Sequence, residues 1–297
     1  MLWDLARENE NITLAGILTN QDSKRGRHGA LVPTDVSSAA LLLEGAGKTI
    51  IQLKPERLNT QARKDAAELA PDLLVSFAYG RIFGPRFLSL FPLGGINIHP
   101  SLLPKYRGAS PIPAVILGRE KETGVCIQKL APEMDSGDIL AEDRFDLSPR
   151  ETSASLSEIV GARAAALLKD LLLRFDHRVG RPQEGQPTYC GEIKKEEGLI
   201  DWTKSAQDID AKIRAYTPWP LSFTNLGEDK LFILEAEPLE STSQAVPGTV
   251  LGAERGIRIQ TGSGILSVSK LQWQTKKALD WKAFINGFRD FSGKLLG

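Results

Sequence analysis

Gly95-Ile-Asn-Ile-His-Pro-Ser-Leu-Leu-Pro104 begins as a short β-branched run behind a glycine and ends in a loop bounded by two prolines. Apolar residues two apart, flanked by Gly and Pro, read as a strand that stops near His99. Similar runs lie on either side: Ile12–Thr19, Thr49–Leu53 and Leu73–Ala78 before it, and Gly124–Leu130 after it. Between them the sequence takes helical spacing, as in Asp35–Glu44 and Asn59–Leu69, and a longer periodic stretch, Thr152–Phe175, closes the series. Strands alternating with helices predict βαβ units, and therefore a Rossmann-like, doubly wound α/β domain with a mostly parallel sheet.

From Asp176 to Pro187 the sequence is polar and broken by Gly and Pro, with few residues that could enter a core. Beyond it, a short helix near Ala206–Tyr216 precedes strand-like runs at Lys230–Glu235, Gly256–Gln260 and Ile265–Ser269. So many short strands close most naturally as a small β-barrel. The expected division is a first domain over 1–178, a linker over 179–198 and a second domain over 199–297. A chain of 297 residues is long enough for two cores.

Composition excludes several classes. With 41% hydrophobic and 25% charged residues, the chain is neither disordered nor collagen-like. No apolar run approaches the roughly 18 residues of a membrane span, and the first residues lack a signal-type pattern, so a cytoplasmic location is expected. Two cysteines, Cys126 and Cys190, are too far apart for a CxxC motif and read as packing residues. Lysine and arginine total 37 against 37 acidic residues, so any nucleic-acid contact must come from local patches. Gly45-Ala-Gly-Lys-Thr49 imitates a phosphate loop but has Leu42 where the first glycine belongs and follows a helix. Gly262-Ser-Gly264 lacks a third glycine, which removes support for a dinucleotide-dependent dehydrogenase.

The chemistry concentrates where the strand at 95–99 ends. Asn97 and His99 are two apart and leave the same face, at the strand end where open α/β sheets bind ligands. A histidine suits proton transfer, an amide can donate to a developing oxyanion, and Asp135-Ser-Gly-Asp138 offers a carboxylate on a second tight loop. The alternative is that Asn97 and His99 only cap the strand. His28 and His177 lie in polar, basic loops and read as solvated.

Asn97-Ile-His99, Ser101-Leu-Leu-Pro104 with Arg107-Gly108, and Met134-Asp-Ser-Gly-Asp138 resemble the signature of the formyltetrahydrofolate-dependent formyltransferases. The resemblance implies that Asn97, His99 and Asp135 are the catalytic set, and that Ser101, Leu102, Leu103 and Pro104 contact the pterin of 10-formyltetrahydrofolate. No metal is implied. Further along, Tyr189–Gly198, Ile200-Asp-Trp202, Ile213–Tyr216, Pro218-Trp-Pro220 and Pro247–Val250 resemble the carboxyl-terminal half of those members that formylate methionyl-tRNA. That implies an OB-like barrel, initiator methionyl-tRNA as the acceptor, and a basic loop that enters the acceptor-stem region. Gln21–His28 sits where this loop belongs, with Arg27 as its entering residue; a solvated loop is the competing reading. A sugar amine or a ribonucleotide amine remains as an alternative acceptor, and an RNA-binding relative without activity as an alternative class. The expectation is a monomer. Members of the family open with an apolar strand and a Gly-containing turn, whereas Met1–Glu8 already reads as the first helix. A reading frame extending upstream by about a strand and a turn is therefore expected.

Overall fold

The computed structural model describes residues 2–25, 29–45, 49–176, 179–241 and 243–297. In chain order come α1 (Leu2–Glu8), β1 (Ile17–Leu18), β2 (Ser23–Arg25), β3 (Ala30–Val32), α2 (Asp35–Gly45) and β4 (Gln52–Leu53). Next are α3 (Thr60–Ala67), β5 (Leu74–Phe77), α4 (Pro85–Leu88), β6 (Gly95–His99), β7 (Arg107–Gly108) and α5 (Pro111–Leu117). Strands β8 (Glu122–Lys129) and β9 (Ile139–Asp146) precede α6 (Ser153–Leu173). After β10 (Tyr189–Cys190) and α7 (Ala206–Ala215) come β11 (Ser222–Leu226), β12 (Asp229–Leu239), β13 (Val250–Ala253), β14 (Ile257–Gln260), β15 (Ile265–Trp273), β16 (Leu279–Asp280) and α8 (Trp281–Gly287).

The chain forms two compact units. The first takes Met1–Pro104, Val125–Asp143 and Ala162–Gln186; the second takes Lys105–Gly124, Arg144–Gly161 and Pro187–Gly297.

In the first unit, β1 pairs parallel with β4, and β5 pairs parallel with β6. The sheet containing β6 runs β5-β6-β8-β9. Strand β8 lies antiparallel to β6, with His99 opposite Cys126 and Ile96 opposite Lys129, where alternation of strand and helix predicted a parallel neighbour. A parallel neighbour needs a crossover that carries the chain back to the starting end of the sheet. Residues 100–121 make none, because this register returns the chain to the end of β6 that it left. Helix α3 starts where Asn59 accepts a hydrogen bond from the Ala62 amide at 3.0 Å. Its buried Ala66 joins Leu74, Phe87 and Phe91 in an apolar cluster that also takes Leu18 and Leu53.

The second unit carries a sheet in the order β11-β12-β15-β14-β13, with β16 on β15, and every pairing is antiparallel. Its apolar face meets α7, whose first turn is capped by Ser205 accepting from the Asp208 amide. Aromatic side chains of α8 and its neighbours, Phe284, Phe288 and Phe291 with Trp273, pack edge to face or tilted around that core. Among the described residues the named strands form an open path. Residues 293–297 bond to both of its ends: Gly293 donates to the Val250 carbonyl, Val250 to that of Lys294, and Gly297 and Asn225 exchange two hydrogen bonds.

Leu231 is fully buried at the centre of this core, on the strand that pairs with both β11 and β15. Leu231→Ala is expected to cost about 2–5 kcal/mol, and thermal denaturation of the full chain should show the midpoint fall by several degrees.

Candidate active site

Strand β6 delivers Asn97 and His99 as its alternation predicts. Its cross-strand register sets Asn97 directly opposite Gln128 of β8, so the two amide side chains share one face of the sheet. His99 is almost fully buried, with 3% of its surface exposed, and Gln128 with 1%.

Both residues are met by Asp135. Its Oδ1 accepts from Gln128 Nε2 at 2.8 Å and lies 3.4 Å from Asn97 Nδ2. The other oxygen, Oδ2, faces His99 Nδ1 at 3.5 Å. Asp135 itself has φ +52, in the left-handed region where an L residue is held only by its surroundings. The turn that holds it is pressed onto β8: the Lys129 amide donates to the Asp138 carbonyl at 2.9 Å, and a Cβ on Gly137 would overlap the Lys129 carbonyl. Only glycine allows this approach.

Two residues of this cluster escape a reading of the sequence. Gln128 is a polar residue inside a strand buried on both sides, and that mismatch is a signal that could have found it. Gln183 lies in the polar stretch read as the start of a linker. Its Nε2 nevertheless sits 2.8 Å from the carbonyls of both Asp135 and Gly137 and 3.2 Å from Gln128 Oε1.

The stretch after β6 divides by burial. Ser101 and Leu103 are enclosed, Leu103 against Cys126 and Ile139, whereas Leu102 and Pro104 are half-buried. Burial pushes the Cys126 thiol up to about 12, so this cysteine remains protonated and packs, as its isolation in the sequence suggests. Arg27 and His28 lie outside the described residues, as do His177 and the centre of the phosphate-loop imitation at 46–48. The described segments on either side of residues 26–28 pair antiparallel, with Ser23 opposite Val32 and Arg25 opposite Ala30. Among the described residues, no group of three or more His, Cys, Asp or Glu side chains could hold a metal ion, and no helix is long and apolar enough to cross a membrane.

An amide, an imidazole and a carboxylate converging at a strand end are groups able to donate to a developing oxyanion and to move a proton. Residues 1–171 match the family described as Formyl transferase, and residues 192–289 the one described as Formyl transferase, C-terminal domain. The chain is 45% identical to the methionyl-tRNA formyltransferase of Treponema denticola, over 97% of this chain and 92% of that one. It is 38% identical to that of Borrelia hermsii, over 95% and 92%. The chain belongs to the methionyl-tRNA formyltransferase family. Among solved structures it is similar to HypX from Aquifex aeolicus in complex with tetrahydrofolic acid, with a TM-score of 0.62 and 18% identity. That likeness covers 94% of this chain but 48% of HypX, so the chain spans about half of that protein and shares its fold.

Gly137→Ala tests the turn. A methyl group there must push Asp135 away from β8, and formyl transfer is expected to fall by on the order of 10²-fold, as misplacement by about 1 Å does elsewhere. Circular dichroism of the same sample should stay close to wild type.

Proposed function

We propose that the chain transfers the formyl group of 10-formyltetrahydrofolate to the α-amino group of methionyl-tRNA, the initiator species, in the cytoplasm. The observation that carries this reading is likeness at 45% identity along nearly the whole of both chains, second domain included. A shared catalytic domain alone would leave the acceptor open to a sugar amine or a ribonucleotide amine.

The geometry supports these roles. As the amine attacks the formyl carbon, the formyl oxygen becomes negative and needs a donor. Asn97 Nδ2 supplies it; its contact with Asp135 is long at 3.4 Å, so little is lost when the amide turns to the substrate. A new bond forms between the amine nitrogen and the formyl carbon, and the bond from that carbon to folate N10 breaks. His99, with Asp135 beside Nδ1, takes the proton shed by the amine and returns it to the departing nitrogen. Of the stretch assigned to the pterin, Leu102 and Pro104 and the backbone of 101–104 are the parts a folate can meet; the side chains of Ser101 and Leu103 support them from within.

Parallel pairing of β1 with β4 and of β5 with β6 supports a Rossmann-like reading of the first domain, 1–178. Contacts of residues 293–297 with both Val250 and Asn225 support a small OB-like barrel in the second, 199–297. On that barrel Lys276, Lys277, Lys282, Arg289 and Lys294 are exposed, whereas Lys270 is paired with Glu235 at 2.9 Å. These cations bind the tRNA backbone, and Arg27 enters the acceptor end.

Two measurements test this. Asn97→Ala and His99→Ala should each lower formylation of charged tRNA by on the order of 10²- to 10³-fold, with folding unchanged. Formylation of an amino sugar or a ribonucleotide amine in place of tRNA would contradict the assignment. Replacing Lys276 and Lys277 together by alanine should reduce the slope of log affinity for tRNA against log salt by up to about 2, since each phosphate contact contributes about 0.7–0.9.

A further inference from the structure

Gln183 belongs to a segment fixed against the β8 and β9 strands. Arg181 exchanges two backbone hydrogen bonds with Ile139, at 2.8 and 2.9 Å, and its guanidinium pairs with Glu142 at 2.6 Å. At Gly180 a Cβ would come within 2.9 Å of the Asp138 side chain, so the backbone lies close along this edge.

This placement determines how Gln183 is oriented. Its Nε2 faces two backbone carbonyls, those of Asp135 and Gly137, and carbonyls only accept, so the nitrogen must be the end that points there. The third contact of that nitrogen is Gln128 Oε1 at 3.2 Å; with two hydrogens for three acceptors, one hydrogen is shared. Gln128 is thereby set with its oxygen toward Gln183 and its Nε2 toward Asp135 Oδ1, at 2.8 Å. Turned the other way, Gln128 would hold an oxygen against a carboxylate oxygen with no proton between them. Oδ1 is occupied in this way, and Oδ2 is the oxygen that faces His99 Nδ1 at 3.5 Å. Because a carboxylate only accepts, that contact favours the tautomer with hydrogen on Nδ1 and the lone pair on Nε2.

We infer that Gln183 is a positioning residue for formyl transfer: acting through the Gln128 amide, it fixes the Asp135 carboxylate and with it the His99 tautomer. The inference rests on the formyl-transfer reading for its effect on rate, but the tautomer can be measured without it.

The experiment compares wild type with Gln183→Ala, the isosteric Gln183→Glu, Gln128→Ala and the double alanine variant. Nitrogen NMR reports the His99 tautomer, assigned with a His99→Gln control among the three histidines of the chain. Formylation kinetics and thermal melting are run on the same samples. In wild type His99 is expected to carry its hydrogen on Nδ1, and in Gln183→Ala that preference is lost. The variant's kcat should drop by about 10- to 100-fold, the range that orienting partners of a histidine contribute at other sites. The folate KM should stay within about twofold of wild type, because the folate stretch is untouched. Gln183→Glu keeps the shape but cannot donate to carbonyls, so it should lose as much; it carries the test if the alanine variant melts early. The double variant should be no slower than the slower single, since both act through one relay.

Full activity in Gln183→Glu, an unchanged tautomer in Gln183→Ala, or independent losses that multiply in the double variant would each overturn the proposal. A wild-type protein that formylates nothing, while Gln183→Ala still loses the tautomer preference, would instead remove the functional reading and leave the relay in place.

Discussion

The site depends on one held carboxylate. Asp135 sits on a backbone conformation that costs energy, with its two oxygens assigned to different neighbours, Gln128 with Asn97 on one side and His99 on the other. Nothing in an aspartate itself enforces that division. It follows from a glycine at 137 that lets the turn touch β8, and from the antiparallel register that sets Gln128 opposite Asn97. The sheet therefore does more than present a strand end: the reversal of direction between β6 and β8 places the Gln128 amide opposite Asn97 and within 2.8 Å of Asp135.

This dependence explains how burial and reactivity coexist. His99 is nearly enclosed, and an enclosed imidazole needs partners for its ring nitrogens or it carries a desolvation cost of about 1–3 kcal/mol. Here Asp135 Oδ2 stands 3.5 Å from Nδ1, and in the proposed mechanism it is also the group that prepares the ring for proton transfer. Cys126, directly across the ladder from His99, is buried as well but is packed among Leu103 and Ile139, and its thiol stays protonated. Adjacent positions on two strands thus take opposite roles according to what their neighbours offer.

Much of this was legible in the sequence. The bounds of strand β6 are legible because its apolar alternation is flanked by glycine and proline, and from its period alone Asn97 and His99 fall on one face. Asp135 was visible as a carboxylate on a tight loop. The antiparallel neighbour was not, since alternation of helix and strand describes crossovers and cannot show that residues 100–121 return to the end they left. Strand β9, with its mixed polar and apolar residues half-buried, gave no clear period. The antiparallel pairing of 23–25 with 30–32 is hidden by the charges of that stretch. Gln183 is hidden most completely, because a polar segment with Gly and Pro reads as linker whether or not its backbone is fixed, and only the folded chain shows Arg181 paired with Ile139.

In the proposed mechanism the Asp135 carboxylate prepares the reacting groups rather than holding substrates. Single-turnover transfer of labelled formyl from 10-formyltetrahydrofolate to methionyl-tRNA by Asp135→Asn, with binding of both substrates measured on the same protein, tests it most directly. Affinities are expected within about twofold of wild type, with a transfer step slower by on the order of 10²-fold or more. Transfer at the wild-type rate, or a loss explained wholly by weaker binding, would contradict it.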